Sequence, residues 1–483
     1  MSKNWNFDNT YIKLPKDFYD KKVPEKVSRP HLIYFNAKFA KELGLNYSQK
    51  DEKEIAEVFS GNKIVDGSEP LAQAYAGHQF GHFTMLGDGR AILLGEQIDP
   101  TGKRWDIQLK GSGKTAYSRG GDGRATLSAI LREYIMSESL HSLKVPTSRS
   151  LAVIGTGEFV QREEMHKGAI LTRVASSHIR VGTFEYVNRF LGKSKLKHFT
   201  DYVIERHYPE VKATENPVMS FFNRVMEKQV ALVVNWMRVG FIHGVMNTDN
   251  CTISGKTIDY GPCAFMNSYN QNTVFSSIDK QKRYAFGNQP AITQWNLMCL
   301  AGALLPLIHE DKNIAVDLAE QALKKFPKLY EKESLAMMRK KLGLVGESDE
   351  DEKLINDLLQ WMQENDIDYT NTFIALQSGK IEENEAYQND EFKEWYQKWL
   401  ANIKERSSIK EAQELMKKNN PLYIPRNHQV ESALNLASKN NDFSAFDRLL
   451  KVLSNPYEYS IGAEDLQLPP KGGDENYQTF CGT

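Results

Sequence analysis

The chain changes its residue pattern near position 200, and this change restricts the folds it can adopt. From 67 to about 190 glycine is frequent, and apolar–polar alternation in AILLGEQI and RWDIQLKG, joined by DPTGK, predicts strands. SLAVIG, EFVQREE and GAILTRVAS predict three more strands, and RATLSAILREYIMSESLHSL predicts one helix. Later segments are helical, beginning with the apolar-rich SFFNRVMEKQVALVVNWMRVGFI. We therefore expect an α+β fold with a strand-rich N-terminal lobe and a mainly helical C-terminal lobe.

Five segments follow from this pattern. We expect an N-terminal extension at 1–66 that contains a helix at YFNAKFAKELGL. The strand-rich lobe spans 67–200, and the helical lobe spans 201–330. A helical extension of that lobe covers 331–465, and a flexible tail covers 466–483. The extension gives no motif of its own, so we expect it to brace the larger lobe.

Composition narrows the classes of function. Hydrophobic content of 41% and charged content of 25% are typical of a folded soluble protein, and a formal net charge of −1 argues against a nucleic-acid binder. No stretch approaches about 18 uncharged apolar residues, so we expect no membrane span. The N-terminus has no signal or transit pattern, which predicts a cytoplasmic protein. The four cysteines form no CxxC pair, which argues against a zinc ribbon and a disulfide scaffold.

The most informative motif is HGVMNTDNCTISGKTIDYG, at 243–261. Protein kinase catalytic loops follow H-R-D-x-x-x-x-N, then a short hairpin and D-F-G. His243 and Asn250 fit the first pattern, Asp259 begins the DYG that fits the second, and CTIS and TIDY are the predicted hairpin strands. Mg²⁺ prefers oxygen ligands and keeps several waters, so one amide and one carboxylate suffice beside nucleotide phosphates. We predict Asn250 and Asp259 as the metal ligands; the alternative is two ordinary Asx turns.

The motif departs from the kinase pattern at its catalytic acid. Gly244 and Val245 replace the Arg and the Asp, and valine cannot accept a proton from a substrate hydroxyl. Asp249, directly before Asn250, is the nearest carboxylate in the sequence. The sequence therefore predicts an intact metal site without ordinary transfer of a γ-phosphoryl group.

Lys110 ends an alternating strand, as the phosphate-binding lysine of kinases does. Such a lysine needs a helical glutamate to hold it, and Glu133 lies 23 residues later in the predicted helix. The alternative is a surface lysine at a strand end, which is the better interpretation of Lys110 taken alone. The metal motif downstream favours the paired, cleft-facing arrangement.

Two glycine-rich loops share the sequence G-D-G-R. One, within LGDGRAILLGE, precedes a strand, and the other, within GSGKTAYSRGGDGRATL, precedes the helix. Exposed backbone N–H groups and a helix N-terminus suit phosphates, although glycine-rich turns are common and neither loop is a Walker motif. Arg173 and Arg180, seven residues apart, could clamp phosphate oxygens, or could be solvent-facing strand arginines.

These stretches together resemble the selenoprotein O family. The resemblance runs in order over about 69–263 through PLAQAYAGHQFG, LGDGR, LKGSGKTAYSRGGDGRA, REY, TRVASSHIRVGTFEY, HGVMNTDN and DYGP, and RYAFGNQP extends it. It implies a protein-kinase-like two-lobed fold, classed as a pseudokinase because the usual acid is missing. It also implies that ATP binds in a flipped orientation and that AMP is transferred to Ser, Thr or Tyr hydroxyls of proteins, with pyrophosphate released.

The resemblance also implies roles for individual residues. Asp249 would accept the proton, Lys110 would contact phosphate and pair with Glu133, and Asn250 and Asp259 would bind Mg²⁺ or Mn²⁺. The residues implied to hold the nucleotide are Gly87, Gly89, Arg90, Lys110, Asp122, Gly123, Arg173, Arg180 and Asp259.

Three other functions remain open. The first is transfer of UMP from UTP with Mn²⁺, and the second, motivated by Val245, is a nucleotide-binding scaffold without catalysis. The third is a thiol oxidoreductase using Cys481, which resembles the near-terminal cysteine or selenocysteine of the family. In the family that residue is associated with redox control through a bond to a cysteine of the activation segment. Cys263 follows the DYG here, and a core thiol is the favoured interpretation of it.

Overall fold

An antiparallel sheet organises the N-terminal half of the molecule. The computed structural model describes residues 3–381, 385–474, 477 and 479. The strands of this part of the chain are β1 (Tyr19–Lys21), β2 (His31–Phe35), β3 (Leu71–Gln73), β4 (Ala76–Gln79), β5 (His82–Met85), β6 (Ala91–Ile98), β7 (Arg104–Lys110), β8 (Ala125–Thr126), β9 (Arg149–Gln161), β10 (Met165–Ala175), β11 (Phe241–Ile242) and β12 (Ala264–Phe265). The main sheet has the order β1-β3-β6-β7-β10-β9-β2, and β8 pairs with β10. β4 pairs with β5, and β11 with β12, in two small separate sheets.

Helices dominate the rest of the chain, so the fold is α+β, as predicted. The α-helices of the described residues are α1 (Ala37–Glu42), α2 (Glu52–Phe59), α3 (Leu127–Ser142), α4 (Val181–Tyr186), α5 (Gly192–His207), α6 (Pro217–Val239), α7 (Gln289–Ile308), α8 (Lys312–Leu323), α9 (Phe326–Lys341), α10 (Asp351–Glu364), α11 (Tyr369–Ser378), α12 (Asp390–Arg406), α13 (Ile409–Asn419), α14 (Asn427–Asn435) and α15 (Ser444–Leu453).

The two central strands follow the sequence pattern closely. β6 and β7 pair antiparallel, from Ala91 opposite Lys110 onward. Side chains alternate between the faces of a strand. Ile107 and Leu109 accordingly join the apolar cluster formed with α1 and α2, whereas Gln108 and Lys110 contact charged side chains on the other face. The alternation that predicted β7 therefore also directs Lys110 toward α3.

One pair of predicted strands is a single strand. SLAVIG and EFVQREE were predicted separately, but β9 contains the first and continues through the EFVQ of the second, ending at Gln161. Gly157 has a φ of +72°, and a Cβ there would lie 2.6 Å from Cβ of Arg29. The register between β9 and β10 shifts at this point. The glycine therefore marks a bulge inside a strand, which the sequence pattern made look like a turn.

The first 66 residues contribute both edges of the main sheet. β1 pairs with β3 at one edge, and β2 pairs with β9 at the other. The helix predicted at YFNAKFAKELGL is shorter in the structure, because residues through Phe35 pair as β2. Asn36 then caps α1, with its side chain accepting a hydrogen bond from the backbone N–H of Phe39 at 3.1 Å.

α6 is the long buried helix that the sequence predicted, and it leads into the HGVMNTDN motif. It begins after Asn216, whose side chain accepts from the backbone N–H of Met219 at 3.0 Å, with Pro217 at its first position. It ends at Gly240, which has a φ of +70° and forms a left-handed C-cap. β11 follows at once and carries the chain to His243.

The predicted hairpin between CTIS and TIDY is absent. Thr252 pairs instead with Arg180, and Thr257 pairs with Thr147. The side chain of Thr252 closes the intervening turn, since its Oγ1 accepts from Lys256 N at 2.9 Å and donates to Lys256 O at 2.7 Å. Both segments thus form backbone bridges with distant parts of the chain and not with each other. The prediction of two hairpin strands was wrong.

α7 supports the loop that contains this motif. No membrane span was expected, but within the described residues one stretch, Phe286–Ile308, is long and apolar enough to cross a membrane by length and composition alone. Of an 18-residue span within it, 44% is buried inside the protein. The side chain of Gln289 accepts from the backbone N–H of His243 at 3.0 Å, and Asn296 donates to the carbonyl of Met246 at 3.1 Å. Polar groups on α7 therefore fix the backbone of the loop.

The C-terminal helices contact the sheet-bearing half as well as the helical half. α14 and α15 pack against α3. Arg132 of α3 donates to the carbonyls of Gly261 at 3.1 Å and Cys263 at 2.5 Å, and forms an ion pair with Glu431 of α14. These helices therefore brace α3 against the segment that follows DYG.

A buried charge network joins α5 to the sheet. Arg206 of α5 lies 2.5 Å from Asp106 of β7 and 3.3 Å from Glu96 of β6, and all three side chains are buried. Asp106 also accepts from the backbone N–H of His178 at 3.0 Å. Burial by itself raises the pKa of Asp106, but Arg206 and His178 outweigh it and hold the pKa well below its ordinary value.

We expect Arg206→Met to destabilise the protein by about 3–5 kcal/mol, because it leaves the buried carboxylate of Asp106 without its cation and leaves Glu96 with Arg104 alone. Urea unfolding monitored by circular dichroism measures this. The matched control is Lys197→Met on the same helix, whose ion pair with Asp201 is exposed and should leave the midpoint nearly unchanged. Equal midpoints for the two variants would contradict this role of the network.

Candidate active site

Most of the predicted site residues surround one cleft, between the main sheet and the loop that follows α6. The cavity measures about 290 Å³. The predicted residues that line it are Gly87, Gly89, Arg90, Lys110, Asp122, Gly123, Arg173, Arg180, Asp249, Asn250 and Asp259. Glu133 lies behind Lys110 and lines the adjoining cavity. A larger cavity of about 860 Å³ beside Trp105 contains none of the predicted residues.

Four charged side chains form a cluster at the base of the cleft, which we call the ion cluster: Lys110, Glu133, Arg173 and Asp259. Lys110 Nζ lies 2.5 Å from Glu133 Oε2 and 2.9 Å from Asp259 Oδ1. Arg173 Nε donates to Glu133 Oε1 at 2.6 Å. Glu133 is 2% exposed and Arg173 is 4% exposed. The ion pair predicted between Lys110 and Glu133 is present, and Arg173 pairs with the same carboxylate.

The ion cluster keeps both carboxylates ionised. Burial by itself raises the pKa of Glu133 and of Asp259, but Arg173 and Lys110 outweigh it, so both pKa values lie below their ordinary range. Asp259 also has a φ of +64°, in the left-handed region that residues other than glycine rarely adopt. The surrounding contacts thus hold a strained, negatively charged aspartate at the edge of the cavity.

His243 orders the loop between α6 and Asp259. Burial lowers the pKa of His243, so the ring is neutral. Its Nε2 lies 3.0 Å from the carbonyl of Ile258, and its Nδ1 lies 3.4 Å from the backbone N–H of Val245. These contacts fit the tautomer with hydrogen on Nε2, which donates to Ile258 and accepts from Val245. His243 therefore ties the start of the loop to the residue before Asp259.

Asp249 is a buried carboxylate with an unused acceptor. It is 9% exposed, and its Oδ1 has no hydrogen-bond partner among the described residues. β4 passes so close that a Cβ on Gly77 would lie 2.5 Å from this oxygen. Burial raises the pKa of Asp249 to about 6. A carboxylate with such a pKa is ionised at neutral pH and suited to accept a proton there.

The side chains of Asn250 and Asp259 fit a divalent cation. Asn250 Nδ2 donates to the carbonyl of Val245 at 3.1 Å, so the amide oxygen is the end that remains for a ligand. Asp259 is ionised and uses Oδ1 toward Lys110, which leaves Oδ2 for a cation. One amide oxygen and one carboxylate oxygen beside a phosphate-sized cleft are the donor set that Mg²⁺ or Mn²⁺ accepts, with water completing the shell.

The first glycine-rich loop is shaped by a close approach. Gly87 has a φ of +144°, and a Cβ there would lie 2.3 Å from the ring of Tyr117. A Cβ on Gly89 would lie 2.8 Å from the carbonyl oxygen of Tyr117. Both glycines line the cavity, but the segment that contains Tyr117 is a sufficient reason for the absence of side chains at these positions.

Asp88, between those glycines, anchors the loop to the sheet and to Arg180. Its Oδ2 accepts from Gln108 Nε2 at 3.1 Å, and its Oδ1 lies 3.5 Å from Arg180 Nη2. Arg180 also stacks on the ring of Tyr75 at 4.1 Å. Arg180 is 4% exposed, so its position is fixed by these contacts and not by solvent.

Asp122, the aspartate of the second G-D-G-R loop, anchors its own loop in a similar way. Asp122 accepts from the backbone N–H of Arg124 at 2.9 Å and binds both terminal nitrogens of Arg162, at 2.8 and 3.2 Å. Gly123 has a φ of +69°, and a Cβ there would lie 2.1 Å from the backbone of Gly113. The backbone at Gly123 therefore packs directly against the backbone at Gly113, and only glycine fits at position 123.

Several cavity residues were not predicted from the sequence. They include Tyr75, Gln79, Asp88, Tyr117, Arg119 and Arg162. Asp88 stands within the G-D-G-R repeat, so the repeat itself was a usable signal for it. Arg162 lies just beyond β9 in the charged run QREE, and nothing in that run distinguishes it from a solvated surface arginine.

None of the cysteines within the described residues lines this cavity. Cys263 is fully buried, and burial raises the pKa of its thiol to about 12, as expected of a structural thiol. Cys481 lies outside the described residues. Thr479, two residues before it, is buried, and its side chain donates to the carbonyl of Pro262 at 2.8 Å.

Comparisons with known proteins agree with the geometry. The family model for protein adenylyltransferase SelO matches residues 2–454. Relatives named protein nucleotidyltransferase YdiU align along nearly their whole lengths. The Nitrosococcus oceani protein is 54% identical over 480 residues, covering 99% of this chain and 97% of its own, and the Bacillus cereus (strain G9842) protein is 53% identical over 489 residues, covering all of both. The chain therefore belongs to the SelO family, a family of protein nucleotidyltransferases.

Proposed function

We propose that this protein transfers AMP from ATP to Ser, Thr or Tyr hydroxyls of proteins, including its own, and releases pyrophosphate. The observation that carries the proposal is the position of Asp249, a buried carboxylate with an unpaired oxygen that lines the same cavity as Asn250 and Asp259. Family membership supports nucleotidyl transfer to protein. The choice of ATP as donor, the hydroxyl acceptors and the self-modification go beyond family membership and are part of what we propose.

Asp249 acts as the general base in this mechanism. It accepts the proton of the acceptor hydroxyl while the hydroxyl oxygen forms a bond to the α-phosphorus of ATP. The bond between the α-phosphorus and the bridging oxygen to the β-phosphate breaks, and pyrophosphate leaves with the bonding electron pair. Val245 stands where a kinase has its catalytic acid, which agrees with attack at a phosphorus other than the γ-phosphorus.

The cationic side chains stabilise charge on the phosphates. Arg90, Lys110, Arg173 and Arg180 all line the cavity, and positive groups fixed in a cleft stabilise negative charge that develops there. A divalent ion held by Asn250 and Asp259 would supply further charge stabilisation on the phosphate oxygens. We also propose that the fold is kinase-like and two-lobed, because β7, α3 and the loop after α6 carry the lysine, the glutamate and the metal ligands in the order of kinases.

A second candidate is transfer of UMP from UTP with Mn²⁺. The names of the relatives state nucleotidyl transfer without naming the nucleotide, which leaves room for this reaction. The two candidates share the phosphate and metal residues and differ in the base that the cleft selects. Competition between ATP and UTP in one reaction, with either metal, separates them.

We expect α-labelled ATP with Mg²⁺ to label protein and γ-labelled ATP not to, because the α-phosphorus stays on the acceptor. The measurement is the radioactivity retained on the denatured chain and on added acceptor proteins. Asp259→Asn is the negative control, since it removes the anionic metal ligand. Label from γ-labelled ATP alone would contradict the proposal in favour of a kinase, and no label from ATP or UTP would favour a scaffold.

Asp249→Asn should lower activity and, at the same time, raise the stability of the folded protein above pH 6. Removing the base should lower kcat by about 10²–10⁴-fold. The folded-state pKa of Asp249 is raised to about 6, above the ordinary 3.8, so its charge disfavours the folded state above pH 6 and not below pH 4. The variant should therefore be more stable than wild type at pH 8, by up to about 3 kcal/mol, and this gain should vanish toward pH 4.

Thermal unfolding of both proteins, without nucleotide and with chelator, measures this difference across pH. The control is Asp201→Asn, which removes an exposed carboxylate. In wild type, kcat/KM should fall as pH decreases through about 6, because the base becomes protonated. A variant that keeps its activity, or a wild-type profile that is flat down to pH 5, would refute the assignment of Asp249 as base.

A further inference from the structure

A second group of metal-type side chains lies beside the loop that follows α6 and outside the nucleotide cavity. His78 of β4, Glu185 of α4 and Cys299 of α7 each offer one ligand atom, and these atoms lie within 4.8 Å of one another. The three residues are far apart in the sequence, so only the fold brings them together. The nucleotide cavity is lined by none of them.

The buried carboxylate of Glu185 is incompletely satisfied by the protein. Its side chain is 6% exposed, and Oε1 lies 2.5 Å from His78 Nδ1. Oε2 is buried and has no hydrogen-bond partner among the described residues. A buried acceptor without a donor costs free energy, and the cost is greater for a charged group. A cation beside Oε2 would supply the missing partner.

The other two ligands are held in place and reachable. The ring of His78 packs edge-on against Phe83 and Trp295, with centroids 5.3 and 5.4 Å away, so its orientation is fixed by aromatic neighbours. Its side chain is 27% exposed, and Cys299 is half-buried. A cation can therefore reach the three groups from solvent.

We infer that His78, Glu185 and Cys299 form a zinc site. Imidazole nitrogen, thiolate sulfur and carboxylate oxygen are the donors that Zn²⁺ accepts, whereas Mg²⁺ prefers oxygen alone. Three protein ligands leave a fourth tetrahedral position for water. Binding takes Cys299 as the thiolate, and its proton passes to solvent.

The location gives the site a positioning role for the catalytic loop. The backbone N–H of His78 donates to Thr248 Oγ1 at 2.7 Å, and Gly77 lies against Asp249. A cation that joins His78 to α4 and α7 would therefore fix β4 beside the proposed base. Zinc binding itself does not rest on the proposed function, because none of the three ligands lines the nucleotide cavity; the positioning role does rest on it, since it takes Asp249 as the base.

Cobalt binding tests the inference directly. Metal-free full-length protein titrated with Co²⁺ should develop a thiolate-to-cobalt charge-transfer band in the near ultraviolet with one equivalent of metal. Cys299→Ala should lose that band. The matched control is Cys251→Ala, which removes a buried cysteine that is not among the three ligands, and it should keep the band. Asp259→Asn should keep it too, because the band does not come from the nucleotide metal site.

Zinc affinity gives a second readout. Competition with a chromophoric chelator should show one tight Zn²⁺ in wild type and at least a tenfold weaker affinity in Cys299→Ala and Glu185→Gln. Zn²⁺ should raise the Tm of wild type and not of Cys299→Ala, since a ligand that binds the folded state stabilises it. Absence of the cobalt band in wild type, or equal zinc affinity in wild type and Cys299→Ala, overturns the inference.

Discussion

A cluster of opposite charges, in which Lys110, Glu133 and Arg173 are buried and Asp259 is partly exposed, holds the candidate active site together. Lys110 and Arg173 come from neighbouring strands, Glu133 comes from α3, and Asp259 comes from the segment after α6. The ion cluster thus joins the sheet, a helix and the metal-binding loop in one place. Because an uncompensated buried charge costs about 3–5 kcal/mol, loss of one member disturbs the other three. α14 and α15 brace α3 from outside, which connects the C-terminal helices to the same site.

Two aspartates ten residues apart are tuned in opposite directions by their surroundings. Asp259 faces Lys110 and Arg173, and its pKa lies below the ordinary range. Asp249 is buried with an oxygen that has no partner, and its pKa is raised to about 6. Environments that push the pKa values of two carboxyl groups apart mark different chemical roles. The permanently charged group suits a metal, and the group that titrates near neutrality suits proton transfer.

Local patterns were sufficient for part of this structure. Alternation predicted β6 and β7, and a glutamate at helical spacing predicted the partner of Lys110. Contacts between segments that are distant in the sequence could not be predicted from such local patterns. Thr252 and Thr257 were predicted to lie on the two strands of a hairpin, but they form isolated bridges with Arg180 and Thr147, which lie outside the strands. The role of Arg162 was equally hidden, since only the tertiary structure brings it to the second glycine-rich loop.

The leaving group is the most direct test of the account. We would incubate the concentrated protein with ATP and Mg²⁺, so that it serves as its own acceptor, and follow soluble products by phosphorus NMR and the intact chain by mass spectrometry. We predict pyrophosphate in an amount equal to the AMP bound to protein, and neither product in Asp249→Asn. Release of ADP, with phosphate added to the chain, would contradict it.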